Sequence, residues 1–106
     1  MKKSRTDKTY FALIRMLPCV CCGRSPTIVA HIRKFTDGGT GLKPSPWFVL
    51  PMCDPCHKKQ HEGEVSFYGG IDEVYNAIDW ALKLYGAKND VFKAQRTVNE
   101  ARKDMF

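Results

Sequence analysis

Two Cys-x-x-Cys pairs constrain this chain more than any other feature. Cys19 pairs with Cys22 and Cys53 with Cys56, and 30 residues lie between the pairs in a chain of 106. A CxxC turn brings two sulfurs to one point, and two such turns supply the four ligands of a tetrahedral ion such as zinc. A chain this short builds a thin core, and a metal adds stability that packing alone does not. Gly23 follows the first pair, where the turn needs a residue that tolerates positive φ. The expectation is a structural zinc on Cys19, Cys22, Cys53 and Cys56. The fifth cysteine, Cys21, is left as a free thiol, because the spacing favours Cys22.

Other uses of cysteine fit less well. Disulfides require export. The start MKKSRTDKTYFALIRMLPC is basic, but its apolar stretch is short, Arg15 breaks it, and no small-residue cleavage site follows. A cytoplasmic protein with reduced thiols is expected, and no segment reaches the length that spans a membrane. CDPCH (53–57) also has the haem-attachment pattern CxxCH. Haem attachment follows export and would leave the first pair unexplained, so no haem is expected. A thioredoxin-like redox pair needs a βαβ setting that this pattern lacks.

The pattern between and around the pairs predicts α+β architecture in one domain over 1–106. Residues 1–7 read as a loose terminus, 8–63 as a zinc-stapled ββα core and 64–106 as helical. Thr6 or Asp7 can cap a short helix with Tyr10, Leu13, Ile14 and Leu17 on its inner side, stopped by Pro18. TIVAHIR (27–33) alternates as a strand, with Ile28, Ala30 and Ile32 on one face and Val29, His31 and Arg33 on the other. WFVLPM (47–52) is a second strand, joined to the first by a Gly- and Pro-rich tip. CDPCHKKQHEG opens a helix that ends near Gly63. A longer helix over 71–86 is expected to turn Ile71, Val74, Tyr75, Ile78, Leu82 and Tyr85 inward. A last helix should bury Val91, Ala94, Val98 and Ala101. Knuckle, hairpin, then a helix bearing the second pair describes a treble-clef zinc finger.

With four sulfurs on zinc, all three histidines of the chain remain: His31, His57 and His61. His57 and His61 are i and i+4 and share a helix face, the spacing with which two imidazoles grip one ion. His31 lies on the strand that packs against that helix. Taken singly, each reads as an ordinary polar residue; three converging on one ββα unit point to chemistry.

The stretches LPCVCCG (17–23), AHIR (30–33), GTGLKPSPWFVLPMC (39–53) and CDPCHKKQH (53–61) resemble the HNH endonucleases, the His-Me or ββα-metal finger superfamily. Within it, the likeness is to small phage and prophage proteins, the recombination-enhancement nuclease Ref and the YbcO-like proteins. The resemblance implies a metal-dependent endonuclease that hydrolyses DNA phosphodiesters in phage or prophage recombination. It gives His31 as catalytic base, with His57, helped by His61, as ligands of a catalytic Mg²⁺ or Mn²⁺. The chemistry is coherent, because hydrolysis needs a base active near neutral pH and an ion that stabilises charge on the leaving oxygen. The chain departs from the pattern at Ala30, where many members place a metal ligand, at Pro46, where small relatives often show Asp, and in having no asparagine over 32–52. Asp37 is a candidate replacement carboxylate.

The formal charge is +6. One zinc on four thiolates lowers it to about +4, so the basic signal is moderate and points to an anionic partner such as nucleic acid. Arg33, Lys34 and Lys43 flank the hairpin tip, and Lys58 and Lys59 adjoin the metal histidines. These are the expected phosphate contacts, to single- or double-stranded DNA. Gly38, Gly39 and Gly41 would let backbone approach a phosphate. Trp47 and Phe48 read as hairpin core, and Arg96, Arg102 and Lys103 as the wet side of the last helix. The alternative is a non-catalytic zinc finger that binds DNA or a recombination or replication protein, with a recombinase as candidate partner. A nuclease acting on RNA is the third reading.

Overall fold

The computed structural model describes residues 7–38 and 42–106. Residues 1–6 of the loose terminus expected at 1–7, and Gly39 and Gly41 of the tip, lie outside the described residues; Asp7 is ordered as the cap of the first helix. The element order is α1 (Lys8–Met16), β1 (Ile28–His31), β2 (Val49–Met52), α2 (Asp54–Glu62), α3 (Glu64–Tyr68), α4 (Ile71–Gly86) and α5 (Val91–Met105). This is a small α+β arrangement in which one two-stranded hairpin is surrounded by helices.

Asp7 begins α1, its carboxylate accepting the Tyr10 N–H at 3.0 Å. That satisfies one of the backbone donors a helix start leaves open. At the other end the Thr27 hydroxyl, buried, donates to the Leu17 carbonyl at 2.8 Å. The residue leading into β1 thus closes the exit of α1.

β1 and β2 pair antiparallel, with Ala30 opposite Leu50 and His31 opposite Val49. Ala30 and Ile32 are fully buried, while Ile28 is exposed at the strand's start. Pro51 stands opposite Val29, and its carbonyl accepts the Val20 N–H at 2.8 Å. It therefore faces away from β1, where the missing proline N–H costs no ladder bond. The same bond ties the first cysteine turn to β2.

α2 starts directly after Cys53, with proline in its first turn, and ends at Gly63. The backbone then restarts as α3, a short helix absorbed into the expected helical half, and closes at Gly69 with φ of 102°.

α4 has the expected bounds but not the expected inner face. Ile71, Tyr75 and Leu82 are exposed, whereas Val74, Ala77, Ile78, Ala81 and Leu84 are buried. The partner helix explains the rotation. α5 presents Ala94, Val98 and Ala101, and alanines on both sides let two helices approach closely. Large side chains on α4 are displaced to the rim. Val91, expected inside, is exposed at the start of α5. Asp104 completes the clasp by accepting from Asn76 at 2.7 Å and from the Trp80 indole at 2.8 Å. Among the described residues no helix is long and apolar enough to cross a membrane.

Candidate metal centre and histidine pocket

The two cysteine turns meet. The sulfurs of Cys19, Cys22, Cys53 and Cys56 all lie within 4.8 Å of one another, and those of Cys22 and Cys53 are 3.5 Å apart. Ligands about 2.3 Å from one tetrahedral ion stand about 3.8 Å apart. Size and donor type therefore suit a thiolate-bound metal such as zinc. Gly23, with φ of 78°, makes the turn its position called for, and its N–H donates to the Cys19 carbonyl at 2.9 Å. The Arg24 backbone N–H helps hold the exposed Cys22 thiol down to about 7, whereas burial pushes Cys53 and Cys56 up. Metal capture must therefore displace protons from the inner pair. Cys21 stays outside this set; burial raises its thiol, and a hydrogen bond with Cys56 opposes that.

Arg102 is a cluster residue that sequence reasoning assigned to the wet side of α5. Its Nε and Nη2 donate to the Cys19 carbonyl at 3.1 and 2.8 Å. Nothing local marks it, because 83 residues separate the partners.

Directly after Cys56, α2 turns His57 and His61 outward. The Nε2 atoms of His57 and His61 are 3.0 Å apart. His31, half-buried on β1, sits edge-on to the Phe11 ring with centroids 5.8 Å apart. Its Nε2 is shielded and has no hydrogen-bond partner. Burial, then Arg33, Lys43 and His57, depress its pKa to about 4, so the ring is neutral at pH 7. Burial also lowers His57, as does His61, while Asp54 opposes this.

A cavity of about 440 Å³ lies here, lined by His31, Arg33, Lys34, Gln60, His61 and Glu64, among others. Gln60 and Glu64 were not singled out in the sequence. Gln60 is buried, and its amide donates to the His31 carbonyl and to the Tyr68 hydroxyl, both at 3.0 Å. The Glu64 carboxylate accepts the backbone N–H groups of Arg33 and Lys34 at 2.9 and 2.7 Å. Both fix the strand exit that carries His31. The periodicity of α2 brings Gln60 inward between the two outward histidines, which was the available signal. Glu64 had none.

The other expected residues divide. Arg33 and Lys34 reach the cavity, and Lys43 is close enough to act on His31. Lys58 pairs with Asp54 at 3.0 Å on the exposed side of α2. Lys59 is also exposed and acts electrostatically on Cys21. Asp37 accepts the Ser45 N–H at 2.8 Å and the Ser45 hydroxyl, organising the tip.

This chain belongs to the family described as "Protein of unknown function (DUF968)", which it matches over residues 2–85. The match takes in the sulfur cluster and the histidine pocket and ends before Arg102. The chain is also similar to "Uncharacterized protein YdfU" of Escherichia coli (strain K12), 33% identical over 79 residues. That alignment covers 71% of this chain and 23% of the relative, so the chain spans about a quarter of that protein's length. No solved structure matches.

Proposed function

We propose that this protein is a metal-dependent endonuclease of the HNH type, built on a treble clef whose zinc is held by Cys19, Cys22, Cys53 and Cys56. The observation that carries the reading is that His31 and His61 line one basic cavity, with His57 beside His61, their Nε2 atoms 3.0 Å apart. His57 and His61, i and i+4 on α2 with their Nε2 atoms 3.0 Å apart, would be the imidazole ligands of a divalent ion, Mg²⁺ or Mn²⁺. When bound, that ion would supply positive charge to a phosphate and its leaving oxygen.

The remaining work falls to the chain. Neutral His31, which lines the cavity, accepts the proton of an attacking water. Phe11 and Gln60 hold its ring and backbone in place. Arg33 and Lys34 bring a phosphodiester to the cavity without reading sequence. The phage or prophage recombination setting rests on the family resemblance alone.

One observation favours the second reading, a DNA-binding finger without turnover. Ala30, where many HNH enzymes place a metal ligand, is fully buried and offers no donor. A plasmid-nicking assay with Mg²⁺ or Mn²⁺ separates the two. The enzyme reading expects zinc-loaded wild type to nick DNA and His31→Ala to lose roughly 10²–10⁴ in rate. Equal cutting by both proteins would remove His31 from the mechanism. DNA retention by both without cutting would establish the binding module.

A further inference from the structure

Phe35 has φ of 61° and is the sole non-glycine residue with positive φ among those described. A bulky side chain rarely adopts this conformation, and it persists where surrounding structure enforces it. The enforcement is visible. Glu64 ties down the N–H groups of Arg33 and Lys34 just before it. The Thr36 hydroxyl just after it lies 2.9 Å from both the Ile32 and Arg33 carbonyls. The turn carries the Phe35 ring onto Tyr75 of α4, with centroids 4.9 Å apart and planes within 12°. The strain does not serve burial, since Phe35 and Tyr75 remain 46% and 50% exposed. The fold holds a parallel aromatic stack open to solvent, directly beyond two cations that line the histidine cavity.

We propose that Phe35 and Tyr75 form a stacking platform for the unpaired bases of single-stranded DNA, adjoining the site where the strand is cut. For its setting this rests on the nuclease reading. A nucleobase presents a flat apolar face beside a charged phosphate. Here a flat aromatic stack adjoins Arg33 and Lys34 in a chain of formal charge +6. Successive bases stack on such aromatic rings while basic residues follow the backbone, with little dependence on sequence. A duplex keeps its base faces against one another and has none to offer. The platform therefore selects single strands, or duplex ends and junctions with extruded bases.

The test is fluorescence anisotropy with zinc-loaded protein and no added Mg²⁺ or Mn²⁺, using a labelled 12-nucleotide oligothymidylate and a 12-base-pair duplex. Tyr75→Ala changes an exposed helix position, and Phe35→Gly suits the positive φ. Each should weaken oligothymidylate binding by roughly 5- to 150-fold, as expected for loss of one stacking partner. Duplex binding should change less than twofold, and Tyr75→Phe should bind as wild type. Unchanged oligothymidylate affinity in Tyr75→Ala overturns the proposal, as does equal loss on both DNAs. Absence of oligothymidylate binding by wild type would also overturn it and leave the stack to a protein partner. Should the aromatic dependence appear while nicking does not, the platform stands and the nuclease reading falls.

Discussion

Cys56 and His57 are neighbours on one helix, yet they belong to two regions made on opposite principles. Cys56 is 7% exposed within a knot of four sulfurs. Around that knot the backbone donors and acceptors are used: Gly23 N–H to Cys19, Val20 N–H to Pro51, His57 N–H to Cys53. His57 is half-exposed, and it lies beside His61 at the rim of a cavity lined by His31, whose shielded Nε2 lacks a hydrogen-bond partner. The first region ties its backbone groups together around the sulfurs. The other keeps the His31 Nε2 unsatisfied, a state that costs stability. The contrast teaches which residues should be judged by folding and which by activity.

The largest expected effect breaks the sulfur region. Structural zinc in small fingers carries roughly 10–16 kcal/mol of apparent binding energy at pH 7, as much as the whole stability of a typical domain, about 5–15 kcal/mol. Cys56→Ser, or chelation of wild type, should abolish the cooperative thermal transition seen by circular dichroism. His31→Ala should keep that transition near its wild-type temperature. If Cys56→Ser melted as wild type does, the sulfur cluster would not be what holds the fold.

A smaller effect sharpens the boundary of the same region. Arg102 comes from α5, beyond the residues shared with the family, yet it donates twice to the Cys19 carbonyl. It also packs over Gly23, where an added Cβ would lie 3.4 Å from the guanidinium carbon. A hydrogen bond from a charged donor contributes about 1.5–3 kcal/mol. Arg102→Met should lower stability by that amount in urea and speed zinc loss to a chelator. Unchanged urea midpoint and zinc release would make the contact incidental.

Much of the frame was legible because its signals are local. Asp7, Pro18, Gly63 and Gly86 mark helix ends through backbone chemistry that needs no partner. Gly23 announced its own positive φ. The hairpin followed from alternation around His31. What failed was tertiary. Which side of α4 faces inward depended on alanines of α5, so Tyr75 was placed in a core it does not enter. The part of the pocket carried by Glu64 and the stack carried by Phe35 depend on contacts about 30 or more residues apart in sequence. No period or motif encodes them. The three histidines stood out only because no others exist to dilute them.

The smallest effect probes the open region by pH. His31 is held to about 4 in the folded chain, against 6.5 for the free side chain. Between these values the unfolded chain binds a proton that the folded chain refuses, so wild-type stability falls as pH drops from about 6.5 towards 4. Above 6.5 the ring is neutral in both states and contributes no slope. Arg33, Lys43 and His57 are the charged or titratable groups acting on it, and all three disfavour the imidazolium. His31→Asn keeps a polar side chain but cannot take up that proton. Thiol protonation is common to both proteins and cancels in the comparison. The ring is only half-buried, so water screens part of the effect, and the difference should stay under about 2 kcal/mol. Urea melts at pH 7 and pH 5 would measure it, with wild type expected to lose more on acidification than His31→Asn. Parallel losses would mean that the fold does not hold His31 neutral, and the distinction between a closed sulfur knot and an unsatisfied histidine would lose its electrostatic half.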